Sequence, residues 1–112
     1  MNRKFVELLG FRKFIDSQDS PQQVLALIQS EILKDPEIGS VMVGTGGLRK
    51  FRVGLDSRGK SGGARVLYVD FPEINQTWLV TVFSKNTKAN LTKKEQIEIA
   101  GLIRAIRKEL GI

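Results

Sequence analysis

At 112 residues the chain has room for one domain with a modest core, and 41% apolar beside 27% charged residues marks a folded protein rather than a disordered one. Eighteen Lys and Arg against twelve Asp and Glu leave +6, a balance that favours nucleic acid or an acidic protein as partner. With no Cys and no His, a Ser/His/Asp triad, a cysteine nucleophile, a zinc finger and imidazole acid–base catalysis are excluded, because each needs a missing group.

In chain order, the opening MNRKFVELLGFRKF carries charges on both sides of a short apolar run, too short for a signal peptide or membrane span. Together with the lack of cysteine this points to a cytoplasmic protein with no membrane partner. The stretch KFVELLGF is compatible with an opening strand, with Gly10 making a turn or bend. Ser20, Pro21 and Gln23 predict a helix start by N-cap, first-turn proline and capping box. That helix should end near Lys34, since Asp35 precedes Pro36 and is disfavoured in the αR region. Val24, Leu25, Leu27, Ile28, Ile32 and Leu33 lie at helical spacing and read as core packing.

Residues 49–55, 64–71 and 78–83 are rich in branched and aromatic side chains and predict three strands. The last two are joined by PEINQ, where Pro72 and Asn75 suit a hairpin turn, so an antiparallel meander is expected. Thr92 with Glu95 forms a capping box opening a final helix, with Ile99, Ile103, Ile106 and Leu110 on one face and Gly111 as C-cap. Tyr68, Trp78 and Phe83 read as core aromatics, and Arg104, Arg107 and Lys108 as a solvated helix end where cations are favoured. The expectation is a single α+β domain over residues 1–112, a small antiparallel β-sheet with packed N-terminal and C-terminal helices.

Residues 54–61, GLDSRGKS, match the nucleotide-binding pattern G-x-x-x-x-G-K-[ST]. A phosphate-binding loop of that kind works by leading from a strand into a helix, whose N-terminal amides meet the phosphates. Here Gly62, Gly63 and then the β-rich ARVLYVDF come next, in place of a helix. The motif therefore reads as a loop between two strands. The region does, however, hold charge. Between residues 49 and 65, Arg49, Lys50, Arg52, Arg58, Lys60 and Arg65 stand against Asp56 alone. A solvated hairpin is one reading. On a strand, however, Phe51, Val53 and Leu55 face one way while Lys50 and Arg52 share the other side, which makes them paired cations on a fixed scaffold. GTGG before the strand and GKSGG after it let a backbone approach a ligand closely and present N–H groups to an anion. A phosphodiester backbone fits such a surface.

The blocks GTGGLRKFRV, RGKSGGARVLYV and VTVFSKNTKANLT, in this order and spacing, resemble the toxin subunits of RelE/HigB-type toxin–antitoxin modules, especially the HigB-like branch. The resemblance covers about residues 24–110 and is strongest over 44–92. It implies a RelE-like microbial RNase fold and a ribosome-dependent endoribonuclease, an mRNA interferase that inhibits translation by cutting mRNA in the decoding site of the small subunit. It further implies a cognate antitoxin with a helix-turn-helix domain, through which operator DNA is bound indirectly. The family's paired basic residues fall on Lys50 and Arg52, its phosphate-binding arginine on Arg65, and the basic residue after the last strand on Lys85. Arg49, Lys60 and Lys88 lie close enough in sequence to be auxiliary RNA contacts. No metal or cofactor is expected, because attack of a ribose 2′-OH on the adjacent phosphate needs proton transfer and charge relief, and Lys and Arg supply the latter. Several relatives use a late Tyr or His; here nothing after Tyr68 is either, which leaves the general base unassigned. Two other readings compete: a non-catalytic or ParE-like member binding an acidic antitoxin segment, and a plain RNA-binding module.

Overall fold

The structure is a computed structural model that describes residues 3–55, 63–84 and 90–112. In chain order it contains β1 (Lys4–Glu7), α1 (Leu9–Asp16), α2 (Pro21–Lys34), β2 (Ser40–Val41), β3 (Arg49–Val53), β4 (Ala64–Phe71), β5 (Gln76–Ser84) and α3 (Lys93–Leu110). The five strands form one sheet in the order β1-β5-β4-β3-β2. The expected meander is its centre: β3, β4 and β5 are antiparallel neighbours. The turn between β4 and β5 is a single 3-10 turn, Pro72–Ile74, closed by Asn75 in the left-handed region at φ 57°. At the far edge β1 pairs with β5 in parallel, so the sheet is mixed rather than purely antiparallel. Only a long crossover permits parallel pairing, and the segment leaving β1 supplies it while laying two helices on one sheet face.

Helix α1 departs from the sequence expectation, which placed a turn or bend at Gly10. Gly10 lies within the helix, in a spot where a Cβ would come 3.4 Å from the Thr81 hydroxyl. At that distance a Cβ would make an ordinary van der Waals contact, so the helix accepts glycine here without requiring it. Arg12 bonds Glu7 at 2.8 Å and Asp16 at 3.3 Å on the outer side. Helix α2 begins and ends where expected, but its Ser20 side chain makes no cap bond. Pro21, with φ already fixed for a helix, opens it instead. In α3 the capping box forms as read: the Glu95 N–H donates to Thr92 Oγ1 at 3.1 Å, and the Thr92 N–H to Glu95 Oε1 at 2.8 Å. Gly111 terminates α3 at φ 71°.

Each sheet face has its own core. Phe11 and Ile15 of α1 and Ile28 and Ile32 of α2 pack on Phe51, Val53, Ala64, Val66, Tyr68, Leu79 and Val82. Ile103 and Ile106 of α3 pack on the opposite face, against Leu48, Leu67, Val69, Phe71, Val80 and Phe83. A bulge lets β5 serve both layers. Leu67 faces Thr81 and Tyr68 faces Leu79, leaving Val80 as the extra residue and turning it toward the α3 core. Among the described residues no helix is long and apolar enough to cross a membrane.

Candidate functional site

The glycine-rich motif of residues 54–61 falls largely outside the described residues, but its flanks decide its class. Val53 pairs with Ala64 across two antiparallel strands, so the loop leads into a strand and no helix N-terminus is supplied. The same register assembles the basic residues. Arg52 of β3 stands directly opposite Arg65 of β4, Lys50 opposite Leu67, and Arg65 in turn opposite Phe83 of β5. Phe51 and Val53 are buried beneath α1 and α2, so the pleat turns Lys50 and Arg52 to the other face, although Arg52, at the open edge of β3 beyond its pairing with β2, also borders a groove with Leu27 and Glu31 of α2.

Arg65 shares that face with Leu67, Val69 and Phe71, which is why its parity reads as core in the sequence. Burial falls away along the face: Leu67 is 1% exposed, Arg65 is half-buried and Arg52 is exposed. The cations thus occupy the rim of an apolar floor. Directly opposed residues of an antiparallel pair have Cβ atoms about 5 Å apart, and like charges there destabilise the sheet. Among the described residues none of Lys50, Arg52 and Arg65 is in an ion pair, whereas Arg3, Arg12, Lys34 and Arg107 all are. Moreover, the Nε of Arg65 is buried without a hydrogen-bond partner among the described residues. An unmet buried donor costs about 1–3 kcal/mol, and more when charged. An anionic oxygen brought to this rim would relieve the repulsion between the opposed guanidinium groups, and a shift of the Arg65 side chain would be needed for its buried Nε to share in the contact.

Arg49 is placed elsewhere. It shares the strand but not the face, and its guanidinium donates to the carbonyl oxygens of Glu37 at 2.8 Å and Gly39 at 3.5 Å. Its strand partner Tyr68 places a hydroxyl 2.9 Å from the carbonyls of both Pro36 and Ile38. Burial pushes the Tyr68 phenol well above the usual tyrosine range, so it remains a neutral donor. Buried on the far face, it is not the missing base. These two side chains bind four consecutive carbonyls of the segment that leads into β2, and β2 pairs Ser40 with Lys50. Gly39 completes the support: at φ +82°, a Cβ there would lie 2.0 Å from the Lys50 carbonyl oxygen. Sequence reasoning misses this brace, because its partners are between ten and thirty-two residues apart and the only local signal is a single glycine.

Lys85, Lys60 and Lys88 lie outside the described residues. The last residue of β5, Ser84, pairs with Ala64, the neighbour of Arg65. Among the described residues there is no group of three or more His, Cys, Asp or Glu able to hold a metal ion.

Comparison with known proteins bears on the fold and on the family. The fold is similar to that of an arginine-to-alanine double mutant of the E. coli toxin RelE in its free state, with TM-score 0.60 and 19% identity over 88% of this chain and 97% of that one. It is likewise similar to the isolated E. coli RelE toxin, with TM-score 0.57 and 16% identity over 90% and 99% of the two chains. At such identities the likeness concerns the fold. Family membership rests on sequence: the family model described as RelE toxin of the RelE/RelB toxin–antitoxin system matches residues 17–109. The chain therefore belongs to the RelE family, the toxin half of a toxin–antitoxin pair.

Proposed function

We propose that this toxin is an endoribonuclease that cuts mRNA on the ribosome's small subunit, without a metal, and that Lys50, Arg52, Arg65 and Lys85 carry the reaction. The observation that carries this reading is the opposed pair Arg52 and Arg65, with Lys50 on the same face, unneutralised among the described residues. A sheet holds such a pair at a cost in stability, and a bound phosphodiester reverses that cost.

In the reaction the ribose 2′-oxygen attacks the adjacent phosphorus, its proton is removed, the bond from phosphorus to the 5′-oxygen breaks, and that oxygen is protonated. The products are a 2′,3′-cyclic phosphate and a 5′-hydroxyl. Arg65 contacts the non-bridging oxygens, where negative charge grows in the transition state and preorganised donors are most effective. Lys50 and Arg52 orient the phosphate and assist loss of the 2′-OH proton, and Lys85 serves the leaving 5′-oxygen. The antitoxin partner carries a helix-turn-helix domain through which operator DNA is recognised, and the toxin acts in the cytoplasm.

Induced expression with subsequent primer extension on mRNA tests the reading. Wild type should arrest growth and create new 5′ ends, and Arg65→Ala should do neither while remaining folded. Arrest without new 5′ ends would refute ribonuclease action and favour a ParE-like target.

A further inference from the structure

Helix α3 is polarised in charge. At 100° per residue, Lys93, Arg104, Arg107 and Lys108 fall on one flank and Glu95, Glu98 and Glu109 on the other. The buried stripe of Ile103 and Ile106 separates them toward the sheet. The carboxylate flank borders a groove with Leu8, Thr81 and Leu102, into which Glu95 and Glu98 look. The cationic flank borders a second groove of about 380 Å³, formed with the turn that precedes β3 and lined by Val43, Gly44, Lys93, Ile97, Ala100 and Arg104 among others.

This second groove holds features that the fold alone does not require. Val43 is 95% exposed and Ile97 is 63% exposed, two branched apolar side chains presented to solvent on facing walls. The turn beneath Val43 is closed by its own hydrogen bonds. Thr45, itself buried, donates to the Met42 carbonyl at 2.6 Å and accepts from the Leu48 N–H at 3.1 Å. Both Lys93 and Arg104 line the groove, no carboxylate does, and neither cation is in an ion pair among the described residues. Val43 lies three residues beyond Ser40, the strand partner of Lys50, so the groove adjoins the strand that carries the basic rim.

We propose that this groove docks an acidic segment of the antitoxin, with apolar anchors seated on Val43 and Ile97 and carboxylates meeting Lys93 and Arg104. The inference rests on the family's antitoxin partner and is independent of the cleavage chemistry. Apolar anchors ringed by complementary charge are what a stable protein contact uses, the anchors supplying affinity and the charges orientation and association rate. The acidic opposite flank repels the same ligand, so the helix selects one side.

The test measures binding of the full-length cognate antitoxin to the full chain by calorimetry. Val43→Asp and Ile97→Asp, and separately the Lys93→Glu/Arg104→Glu double variant, are compared with Leu102→Asp on the other flank. The three groove variants should weaken binding by about tenfold or more, and growth arrest should escape antitoxin neutralisation. Leu102→Asp should bind like wild type. Thermal melts check folding, which the exposure of Val43 protects. Affinities of the groove variants within about twofold of wild type, or an equal loss in Leu102→Asp, would overturn the proposal. So would groove variants that lower mRNA cleavage in the absence of antitoxin, because the groove would then serve RNA. A wild-type chain that cuts no mRNA would sink the ribonuclease reading alone, since the affinity comparison still decides the groove.

Discussion

Two cross-strand pairs on β3 and β4 use the same chemistry to opposite ends. Arg49 opposes Tyr68 and Arg52 opposes Arg65, three residues apart on each strand. In the first pair the side chains are engaged by protein, since one guanidinium nitrogen and the phenol together hold the carbonyls of residues 36–39. In the second, like charges face each other and a buried Nε has no partner among the described residues. The first pair gives stability and no surface to act with. The second gives up stability and leaves the Arg65 Nε without a protein partner among the described residues. Neighbouring arginines on one strand thus differ in role because the pleat sends them to opposite faces, one under a loop and the other to a rim.

The sharpest way to break the comparison is to remove one arginine from the unsatisfied pair. Arg65→Ala should lower the cleavage rate by about 100- to 1000-fold, the usual loss of about 2.7 to 4 kcal/mol for a preorganised donor, while thermal stability is retained or raised. Primer-extension kinetics beside a melting curve read both quantities.

Next comes the brace. Gly39→Ala should destabilise the fold by about 1–3 kcal/mol through its left-handed backbone alone, with more from the clash at the Lys50 carbonyl. Denaturant titration measures it, and the cleavage rate should fall as β2 loosens from Lys50.

Tyr68→Phe leaves the Pro36 and Ile38 carbonyls without their donor and should cost about 1–2 kcal/mol. This change also has a pH signature. Because the folded phenol ionises above its unfolded value near 10, its contribution is fully present below that pH and is lost as pH rises beyond it. Melting temperatures from pH 8 to 11 should therefore fall more steeply for wild type than for Tyr68→Phe, and parallel curves would refute the sign.

The smallest effect sharpens the comparison from the other side. Arg52→Gln removes the like-charge opposition and should stabilise the fold by about 0.2–1 kcal/mol while reducing cleavage. A loss of stability would show that Arg52 has a structural partner after all.

Local signals carry much of the fold. The Thr92 capping box and Gly111 stop bound α3 correctly because caps are contacts between residues three or four apart. The meander strands are legible from branched residues and the turn between them. Less is legible where contacts are remote. The parallel pairing of β1 with β5 joins segments some seventy residues apart. Gly10 reads as a breaker because what keeps it helical, the packing of α1 against β5, lies on another element. Arg49 reads as a companion of Lys50 because linear nearness does not say which face a side chain occupies or which carbonyl it finds.

The chain by itself determined an inventory and a rhythm: no imidazole or thiol, cations concentrated around residues 49–65, and alternation that separates Lys50 and Arg52 from Phe51 and Val53. Tertiary structure alone decided that Arg52 meets Arg65, that Arg65 emerges from an apolar strand at its rim, and that Arg49 is committed to a loop. Composition and periodicity are properties of one strand. Register, and the partners it gives or withholds, belongs to pairs of strands, and whether a charge is satisfied depends on the pair.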